Sequence, residues 1–392
     1  MNAAEIEELL IKLVQIPAPT GREQKRAEYI TDWLKELGYH PFTDAAGNVI
    51  VEMKVQEGGY TVLMAHMDTV FEDVDTSVVK NANILSAPGI GDDTCNAAFL
   101  MAVMKTLIGQ KCRPLKNLLF VFDTGEEGLG NCRGTRQLMQ DYKDKVDEVI
   151  SFDLGSDAVC VKAVGSKRYR VTVTAPGGHS FHAFGQKGAI ETAAEMIHEI
   201  YRIKPCEGTQ TTYNVGMIEG GTSVNTIAQK CTFLAEVRSD DAQALKKIDE
   251  QLCNIFDSFN NAEGFAKVQI SYELTGFRPT GNGVPEAAQK ALADTAAEVI
   301  CRYTGREPVR RSGSTDCNIP LSMGIPAVSF GGYRGGGAHT RQEWVDAGSF
   351  EEGYNIILAF IGNILYGKTD TIRQSEQAGS AAVSWKRRAD SG

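Results

Sequence analysis

Apolar positions recur with a helical period in the first part of the chain, and short, uninterrupted apolar runs alternate with them. The period predicts helices over residues 3–14 and 22–37 and a largely buried helix over 94–109. Runs such as Leu118–Phe122 are apolar throughout, which is typical of strands covered on both faces. Strands alternating with helices predict an α/β domain with a mostly parallel sheet flanked by helices. The other predicted strands of this sheet are 49–55, 60–65, 148–152 and 326–330, and the other helices are 285–304 and 350–366.

The pattern changes near residue 164, where the apolar runs give way to strands that are half polar. From there the elements follow the order β-α-β-β-α-β, which is the order of a ferredoxin-like unit. We therefore predict one domain from residues 1–163 and 275–366, interrupted by an inserted α+β domain at 164–274. Residues 367–392 have no period and are predicted to form a mobile tail. The predicted elements of the insert are strand 169–174, helix 189–201, strands 211–218 and 231–238, helix 241–259 and strand 267–273.

Composition narrows the class of protein. A chain of 392 residues exceeds the usual size of one core, and 42% hydrophobic with 23% charged residues is typical of a soluble globular protein. The net charge of −10 argues against a nucleic-acid partner. No apolar stretch is long enough for a bilayer, so we expect no membrane partner, and the first residues have the pattern of an amphipathic helix rather than of a signal peptide. Nine cysteines without a CxxC pair predict reduced thiols and a cytoplasmic protein.

Two adjacent carboxylates, Glu126 and Glu127, follow the apolar run that ends at Phe122. Like charges side by side repel each other, and the glycines around them give no packing support. A solvated turn would tolerate this arrangement. A catalytic site would also tolerate it, if one carboxylate held a metal ion and the other moved a proton.

Other polar residues follow apolar runs in the same way. His66 and Asp68 share one face of a strand end, as a metal ligand and its orienting carboxylate would, although a buried histidine beside a solvated aspartate has this pattern too. Asp92 belongs to an Asp-Asp pair at the start of a helix, where carboxylates also serve as caps. Asp153 and His339 lie in loops and are unremarkable when taken singly.

Taken together, these residues predict a metal site. The carboxyl ends of parallel strands meet at one edge of a sheet, where ligands bind. Two histidines with several carboxylates suit a pair of zinc, manganese or cobalt ions in a hydrolytic site. The sequence has no GxxxxGK phosphate loop, no GxGxxG after a strand and no GxSxG elbow, which argues against the competing chemistries.

Six motifs resemble, in order and spacing, those of the M20 family of metallopeptidases, and the aminotripeptidase (peptidase T) and M20/M25/M40 branch is the most similar. The likeness covers about residues 5–366. It implies a zinc-exopeptidase-like fold whose inserted domain serves in dimerisation or as a lid. The motifs are MAHMDTV (64–70), GIGDDTCNAA (89–98), DTGEEGLG (123–130), SFDLGS (151–156), APGGHS (175–180) and GGAHT (336–340).

The resemblance implies two divalent metal ions per subunit. Zinc is the expected metal, and manganese or cobalt are alternatives. Asp92 would bridge the two ions. His66 and Asp153 would hold one ion, and Glu127 and His339 would hold the other.

The resemblance also implies roles for residues that do not bind metal. Asp68 would orient the first histidine ligand, and Glu126 would be the general base that takes a proton from a metal-activated water. His179, in the inserted domain, would reach the active site of the partner subunit in a homodimer and stabilise an oxyanion there. Asn225 and Arg238 would bind a carboxylate or carbonyl group of the substrate.

Three features of the sequence bear on the packing at the start of the 94–109 helix, on the shape of the substrate side and on specificity, in that order. Thr94 stands where the family often has lysine, and the segment after the GGHS motif lacks the usual proline, which makes His182 a second candidate beside His179. Aspartate at position 153 favours aminopeptidase-type members over carboxypeptidase and deacylase types. The resulting hypothesis is a cytoplasmic, homodimeric, metal-dependent exopeptidase of short peptides. The alternatives are an N-acyl amino acid amidohydrolase on the same metal core and, from another class, a non-catalytic dimeric binding protein.

Overall fold

Most predicted helices form in the computed structural model with ends that differ by no more than a few residues. The first helix begins with a capping box, in which Asn2 and Glu5 exchange side-chain and backbone hydrogen bonds. Two short helices, α4 (Arg133–Asp141) and α8 (Asn318–Ser322), were not predicted. The predicted tail and residue 267 lie outside the described residues, which are 1–72, 76–110, 112, 114–261 and 268–366. The helices are α1 (Ala3–Val14), α2 (Gln24–Glu36), α3 (Thr94–Gly109), α4 (Arg133–Asp141), α5 (Ala189–Ile200), α6 (Ala242–Asn261), α7 (Glu286–Thr304), α8 (Asn318–Ser322) and α9 (Phe350–Tyr366).

The strands include every predicted apolar run and several short or polar strands that the apolar pattern did not indicate. Among the latter is the strand at residues 309–313, whose sequence VRRSG carries two arginines. The strands are β1 (Phe42–Thr43), β2 (Val49–Met53), β3 (Tyr60–His66), β4 (Val79–Asn81), β5 (Ile84–Ser86), β6 (Asn117–Asp123), β7 (Val146–Ser151), β8 (Ala158–Ala163), β9 (Gly165–Thr174), β10 (Gly178–His179), β11 (Thr211–Gly220), β12 (Thr226–Ile227), β13 (Lys230–Ser239), β14 (Gln269–Arg278), β15 (Val309–Gly313), β16 (Ala327–Ser329), β17 (Gly335–Gly336) and β18 (Trp344–Asp346).

The central sheet has eight strands in the order β1-β2-β6-β3-β7-β16-β8-β15. Its middle strands β6, β3, β7 and β16 are parallel to one another, and so are β8 and β15. The edge pair β1 and β2 joins β6 in the antiparallel sense. The prediction of a mixed, mostly parallel sheet is confirmed, and the four middle strands bring their carboxyl ends to one edge, whereas β8 and β15 run the opposite way.

Both faces of this sheet are covered, which explains the uninterrupted apolar runs. On β3, Leu63 and Ala65 belong to the large core beneath α1, α3, α7 and α9. Val62 and Met64 point the other way, into a smaller core that includes residues of α4 and α8. Every residue of β3 is buried. A strand with two buried faces cannot alternate apolar with polar residues.

A second sheet, with the order β11-β13-β9-β14 and antiparallel pairs throughout, is inserted between β8 and α7. Helices α5 and α6 pack on it and complete a separate apolar core. The prediction of a ferredoxin-like α+β unit is confirmed by this strand order. Strand β11 lies at the edge, and Met217 and Ile218 near its end are exposed.

Two expectations from composition concern cysteines and membranes. The nine cysteines, all within the described residues, are free thiols. In the part of the chain that the structure describes, no helix has both the length and the apolar character required to cross a membrane.

Candidate metal centre

Four of the candidate residues meet at the carboxyl edge of the parallel strands. His66 is the last residue of β3, Glu127 follows the end of β6, and Asp153 follows the end of β7. Asp92 reaches the same place from the loop before α3. His339 joins them from the loop between β17 and β18. Residues as far apart in the chain as His66 and His339 therefore form one cluster.

The donor atoms form two groups of three that share Asp92, and a third group joins His66, Glu126 and Glu127. One group joins His66, Asp92 and Asp153, and another joins Asp92, Glu127 and His339, with one donor atom of each residue within 4.8 Å of the others. The Oδ1 atom of Asp92 lies 3.1 Å from Nε2 of His66. Its Oδ2 atom lies 3.2 Å from Nε2 of His339, which is also 2.9 Å from Oε1 of Glu127. The two oxygens of one carboxylate thus face two different histidines.

These separations fit a metal site. Ligand atoms about 2.0–2.1 Å from a tetrahedral zinc ion are roughly 3.3 Å from each other, close to the distances around Asp92. Nitrogen and oxygen donors without thiolate suit zinc, manganese or cobalt. The donor set and its spacing are therefore compatible with two divalent ions that share Asp92.

The charges of the cluster also favour the binding of cations. Burial raises the pKa of Glu127 to about 7, and the neighbouring charge of Asp92 adds to the effect. Burial together with Asp92 also raises the pKa of Asp153. Hydrogen bonds to Asp92 and Glu127 raise the pKa of His339 to about 10. The cluster gathers more negative charge than its side chains neutralise, and divalent cations would balance it.

The Glu126–Glu127 turn is not solvated, because both side chains are buried. It is held by Asp68, whose Oδ1 accepts the backbone N–H of Glu126 and whose Oδ2 accepts that of Glu127, both at 3.0 Å. The hydroxyl of Thr20, in the turn between α1 and α2, donates to the same Oδ2 at 2.8 Å. Asp68 thus fixes the backbone of the turn that bears both glutamates.

Asp68 contacts His66 as well. The carbonyl oxygen of Asp68 lies 3.1 Å from Nδ1 of His66, and its carboxylate Oδ1 lies 3.5 Å away. The nearer partner of the ring nitrogen is therefore the backbone carbonyl. A partner at Nδ1 leaves Nε2 directed at Asp92.

Arg278, at the end of β14, was missed by the sequence analysis. Its Nη1 donates to Oε1 of Glu126 at 2.7 Å, and its Nη2 donates to the carbonyl oxygen of the same residue. The two side chains are buried, and the Glu126 carboxylate raises the pKa of Arg278 even though burial opposes the shift. Arg278 therefore fixes the orientation of Glu126 at the edge of the cluster. A lone arginine at a strand end carries no local signal of this contact, which spans 152 residues of sequence.

The peptidase family M20/M25/M40 model matches residues 62–363, which is more than half of the chain. This chain belongs to that family. Its M20 relatives include a putative succinyl-diaminopimelate desuccinylase from Mycobacterium tuberculosis, which is 22% identical over 365 residues, or 91% of this chain and 97% of the relative. As a member of the family, the protein is a hydrolase that acts on peptide or amide C–N bonds.

Solved M20 structures share the fold. A tripeptidase from Staphylococcus aureus superposes with a TM-score of 0.74 at 22% identity, covering 93% of this chain and 99% of the other. A dinuclear metal-binding peptidase of the M20 family from Bacillus subtilis gives a TM-score of 0.64 at 15% identity, covering 93% and 98%. At these identities the likeness concerns the fold.

Thr94, which departs from the usual M20 pattern, has a packing role. Its hydroxyl donates to the carbonyl oxygen of Gly89 at 2.6 Å. It accepts a hydrogen bond at 3.1 Å from Arg26, a buried residue of α2 that also donates to the carbonyl oxygen of Met67 at 2.7 Å. Arg26 thereby ties α2 to the strand end that carries His66 and to the start of α3.

The neighbouring Asp93 is buried and does not cap α3 with its side chain. Its carboxylate accepts the backbone N–H of His66 at 3.1 Å and the side-chain amide of Asn96 at 2.8 Å. Helix capping therefore does not explain the Asp-Asp pair. Asp92 faces His66 and His339, and Asp93 accepts the backbone N–H of His66.

The backbone beside two of the M20 candidate ligands is unusual. His339 has φ of 63°, and Leu154, directly after Asp153, has φ of 79°. Non-glycine residues seldom adopt this left-handed conformation, and such positions concentrate at functional sites.

The candidates in the inserted unit lie apart from this cluster. His179 is exposed, and its Nδ1 accepts the N–H of Phe181 at 3.3 Å while its ring lies 4.9 Å from that of His182. Asn225 is exposed in the adjoining loop, and its backbone carbonyl oxygen accepts the backbone N–H of Ser180 at 3.0 Å. These contacts stay within one local element, the β10–β12 pair and its loops.

Arg238 is paired within its own sheet. Its Nε and Nη2 donate to the two carboxylate oxygens of Glu236 at 3.0 and 3.1 Å. Arg168 of β9 shares Glu236 at 3.4 Å and donates to the carbonyl oxygen of Gly128, which directly follows the Glu126–Glu127 turn. The inserted sheet therefore touches the turn through Arg168 and Arg278.

Proposed function

We propose that this M20 hydrolase is a metal-dependent exopeptidase that removes residues from short peptides, with dipeptides and tripeptides as its substrates. The observation that carries the chemistry is the placement of Asp92, whose two carboxylate oxygens each face a different histidine. The aspartate at position 153 supports the substrate class, because the family resemblance associates aspartate there with aminopeptidase-type members.

In this proposal His66 and Asp153 would hold one ion, Glu127 and His339 would hold the other, and Asp92 would serve both. Zinc is the expected metal, with manganese or cobalt as alternatives. The ions would supply Lewis-acid activation of the attacking water and of the scissile carbonyl.

Glu126 is the proposed general base. Its Oε1 is held by Arg278, so the proton taken from the attacking water is assigned to Oε2. Asp68 fixes the turn at both backbone N–H groups, which holds the Glu126 carboxylate at the edge of the cluster. Glu126 would then return the proton to the leaving amine. Separate contacts for the two adjacent glutamates thus support separate roles.

The inserted domain would complete the active site in a homodimer. His179 would donate to the oxyanion in the partner subunit, and Asn225 and Arg238 would bind a carboxylate or carbonyl of the substrate. The exposed edge strand β11, with Met217 and Ile218 uncovered, is a surface that a second copy could cover. The cytoplasm remains the predicted location, on the pattern of free cysteines.

An N-acyl amino acid amidohydrolase is the second candidate. The same metal centre would serve it, because an amide bond is cleaved in both reactions. The similarity to a putative desuccinylase supports this alternative. Family membership does not support the third hypothesis, a non-catalytic binding protein.

A substrate panel tests the proposal. Purified chain is stripped with a chelator, reloaded with zinc, manganese or cobalt, and assayed with dipeptides, tripeptides, N-blocked peptides and N-acyl amino acids. We expect the highest kcat/KM with peptides that have a free amino terminus, and no turnover before metal is restored. Faster hydrolysis of N-acyl amino acids would favour the amidohydrolase.

A further inference from the structure

Glu343 is a buried carboxylate for which neither the sequence motifs nor the proposed ligands account. It lies directly before β18, four residues after His339, and its side chain is 2% exposed. Its carboxylate accepts three backbone N–H groups. Oε2 accepts that of Gly89 at 2.8 Å, and Oε1 accepts those of Gly91 at 2.9 Å and Asp92 at 2.7 Å. All three donors belong to the loop that carries Asp92 to the metal centre.

One carboxylate with three backbone donors sets the path of that loop. Together the three hydrogen bonds restrict the backbone at Asp92 itself, because a buried N–H that moved away from this carboxylate would lose its partner. The glycines make this approach possible. A Cβ atom at Gly91 would lie 2.9 Å from Oε1 of Glu343, and one at Gly89 would lie 2.4 Å from the side chain of Thr69.

Glu343 also couples two loops through its own backbone hydrogen bonds. The N–H of Glu343 donates to the carbonyl oxygen of Thr340 at 3.2 Å, within the turn that follows His339. The carbonyl oxygen of Glu343 accepts the N–H of Ala87 at 3.2 Å, just before the Asp92 loop. Glu343 therefore links the loop of one proposed ligand to the loop of the bridging one.

This link between the two loops affects the position of the Asp92 carboxylate. Its Oδ1 and Oδ2 lie 3.1 and 3.2 Å from the Nε2 atoms of His66 and His339. A small rotation of the Asp92 backbone would lengthen one distance or both. A residue that fixes this backbone controls the geometry of both ion positions without touching either of them.

We propose that Glu343 is a positioning residue of the metal centre, which acts through the backbone of Gly89–Asp92 to hold the Asp92 carboxylate between the two ions. This inference rests on the metal site proposed above and adds a residue outside the ligand set. Partners behind metal ligands typically contribute 10–100-fold to metal affinity or activity.

The test measures zinc affinity of the full-length chain by competition with a chelator, together with the thermal midpoint of the metal-free protein. Glu343→Gln keeps the length and shape of the side chain but turns an amide N–H₂ toward a backbone donor. We expect it to lower the affinity for both zinc ions by roughly 10–100-fold. Asp241→Asn is the matched control. Asp241 accepts a backbone N–H at the start of α6 in the inserted unit, at 2.8 Å, and its change should leave zinc affinity unaltered.

A double-mutant cycle shows whether Glu343 acts through Asp92. Asp92→Ala should itself remove most of the bound zinc. In that background, Glu343→Gln should lower the remaining zinc affinity by less than about threefold, because interacting residues are not additive. Equal losses in the two backgrounds would overturn the proposal, as would a Glu343→Gln protein with lowered thermal midpoint and unchanged zinc affinity.

Glu343→Asp is the second variant if the glutamine form does not fold. It keeps the charge but is one methylene shorter, so it should reach fewer of the three N–H groups and give a smaller loss of zinc affinity. Unchanged affinity in this variant would also contradict the inference. Two zinc ions retained by Asp92→Ala would instead contradict the metal centre itself, and neither readout depends on which substrate is hydrolysed.

Discussion

The metal centre and the His179 loop both supply proposed active-site residues, but they are held very differently. His66 is 1% exposed, and the turn with Glu126 is fixed by Asp68 and Arg278. In the His179 loop and the adjoining loop of Asn225, apolar side chains are exposed, including Phe181 (80%), Phe184 (92%) and Val224 (100%). Large apolar side chains clustered at a surface indicate a contact with something else. In the function proposed above, the first region is complete in one chain, and the second would be completed by a partner subunit.

The largest expected effect comes from breaking the complete region at a residue that binds no metal. Glu126→Gln should lower kcat by at least roughly 10²–10⁴-fold, because the proton acceptor is lost while the shape is kept. Elemental analysis should find the metal content of the wild type. Glu127→Ala is the matched comparison, and it should lose metal. Equal metal loss in the two variants would mean that their roles are reversed.

A smaller effect is expected from the incomplete region. His179→Ala should lower kcat by roughly 10²–10³-fold, the usual effect of losing an oxyanion donor, and leave metal content unchanged. His182→Ala, in the same loop, serves as the control and should retain more activity.

Mixing subunits then tests whether His179 acts across a dimer. Inactive His179→Ala and Glu126→Gln chains, once exchanged, should regain activity, because one site of each heterodimer is intact. Exchanged mixtures that stay inactive, or a fully active monomer, would assign His179 to its own subunit.

The smallest expected effect tests how firmly the complete region is held. Thr20→Val removes the hydroxyl that donates to Asp68 without a change of shape. A single hydrogen bond contributes about 0.5–1.5 kcal/mol, so we expect kcat to fall by roughly twofold to tenfold with little change in KM. Thr20→Ser should restore most of the rate. If Thr20→Ser had a kcat as low as that of Thr20→Val, the methyl group of Thr20 rather than its hydroxyl would be important.

The sequence predicted those parts of the molecule that depend on local pattern. The helix over 94–109 has those bounds in the structure, since its apolar positions are dictated by burial on nearly all sides. The edge strand β15 was missed because two of its five residues are arginines. The motifs also pointed to the ligand candidates, most of which lie at or shortly after strand ends or before a helix, with His339 in a loop.

The supporting contacts could not be predicted in this way. Thr20, Arg278 and Glu343 reach their partners over separations of 48, 152 and 251 residues, respectively. Each is a single polar residue in a turn or at a strand end, a place where polar residues are ordinary. Only the packed structure shows which of them accept or donate to the turns that carry the candidate ligands.

The late position of His339 in the chain has a consequence for biosynthesis. His66, Asp92 and Asp153 precede the inserted unit, whereas His339 follows it, as does β16, which lies between β7 and β8 in the central sheet. At roughly 5–20 residues per second, a ribosome needs about ten to forty seconds to pass from residue 153 to residue 339. With the proposed ligand set, the nascent chain would have the donors for one ion during that interval and would lack His339 for the other. Loading of the second ion would then wait until translation is nearly complete.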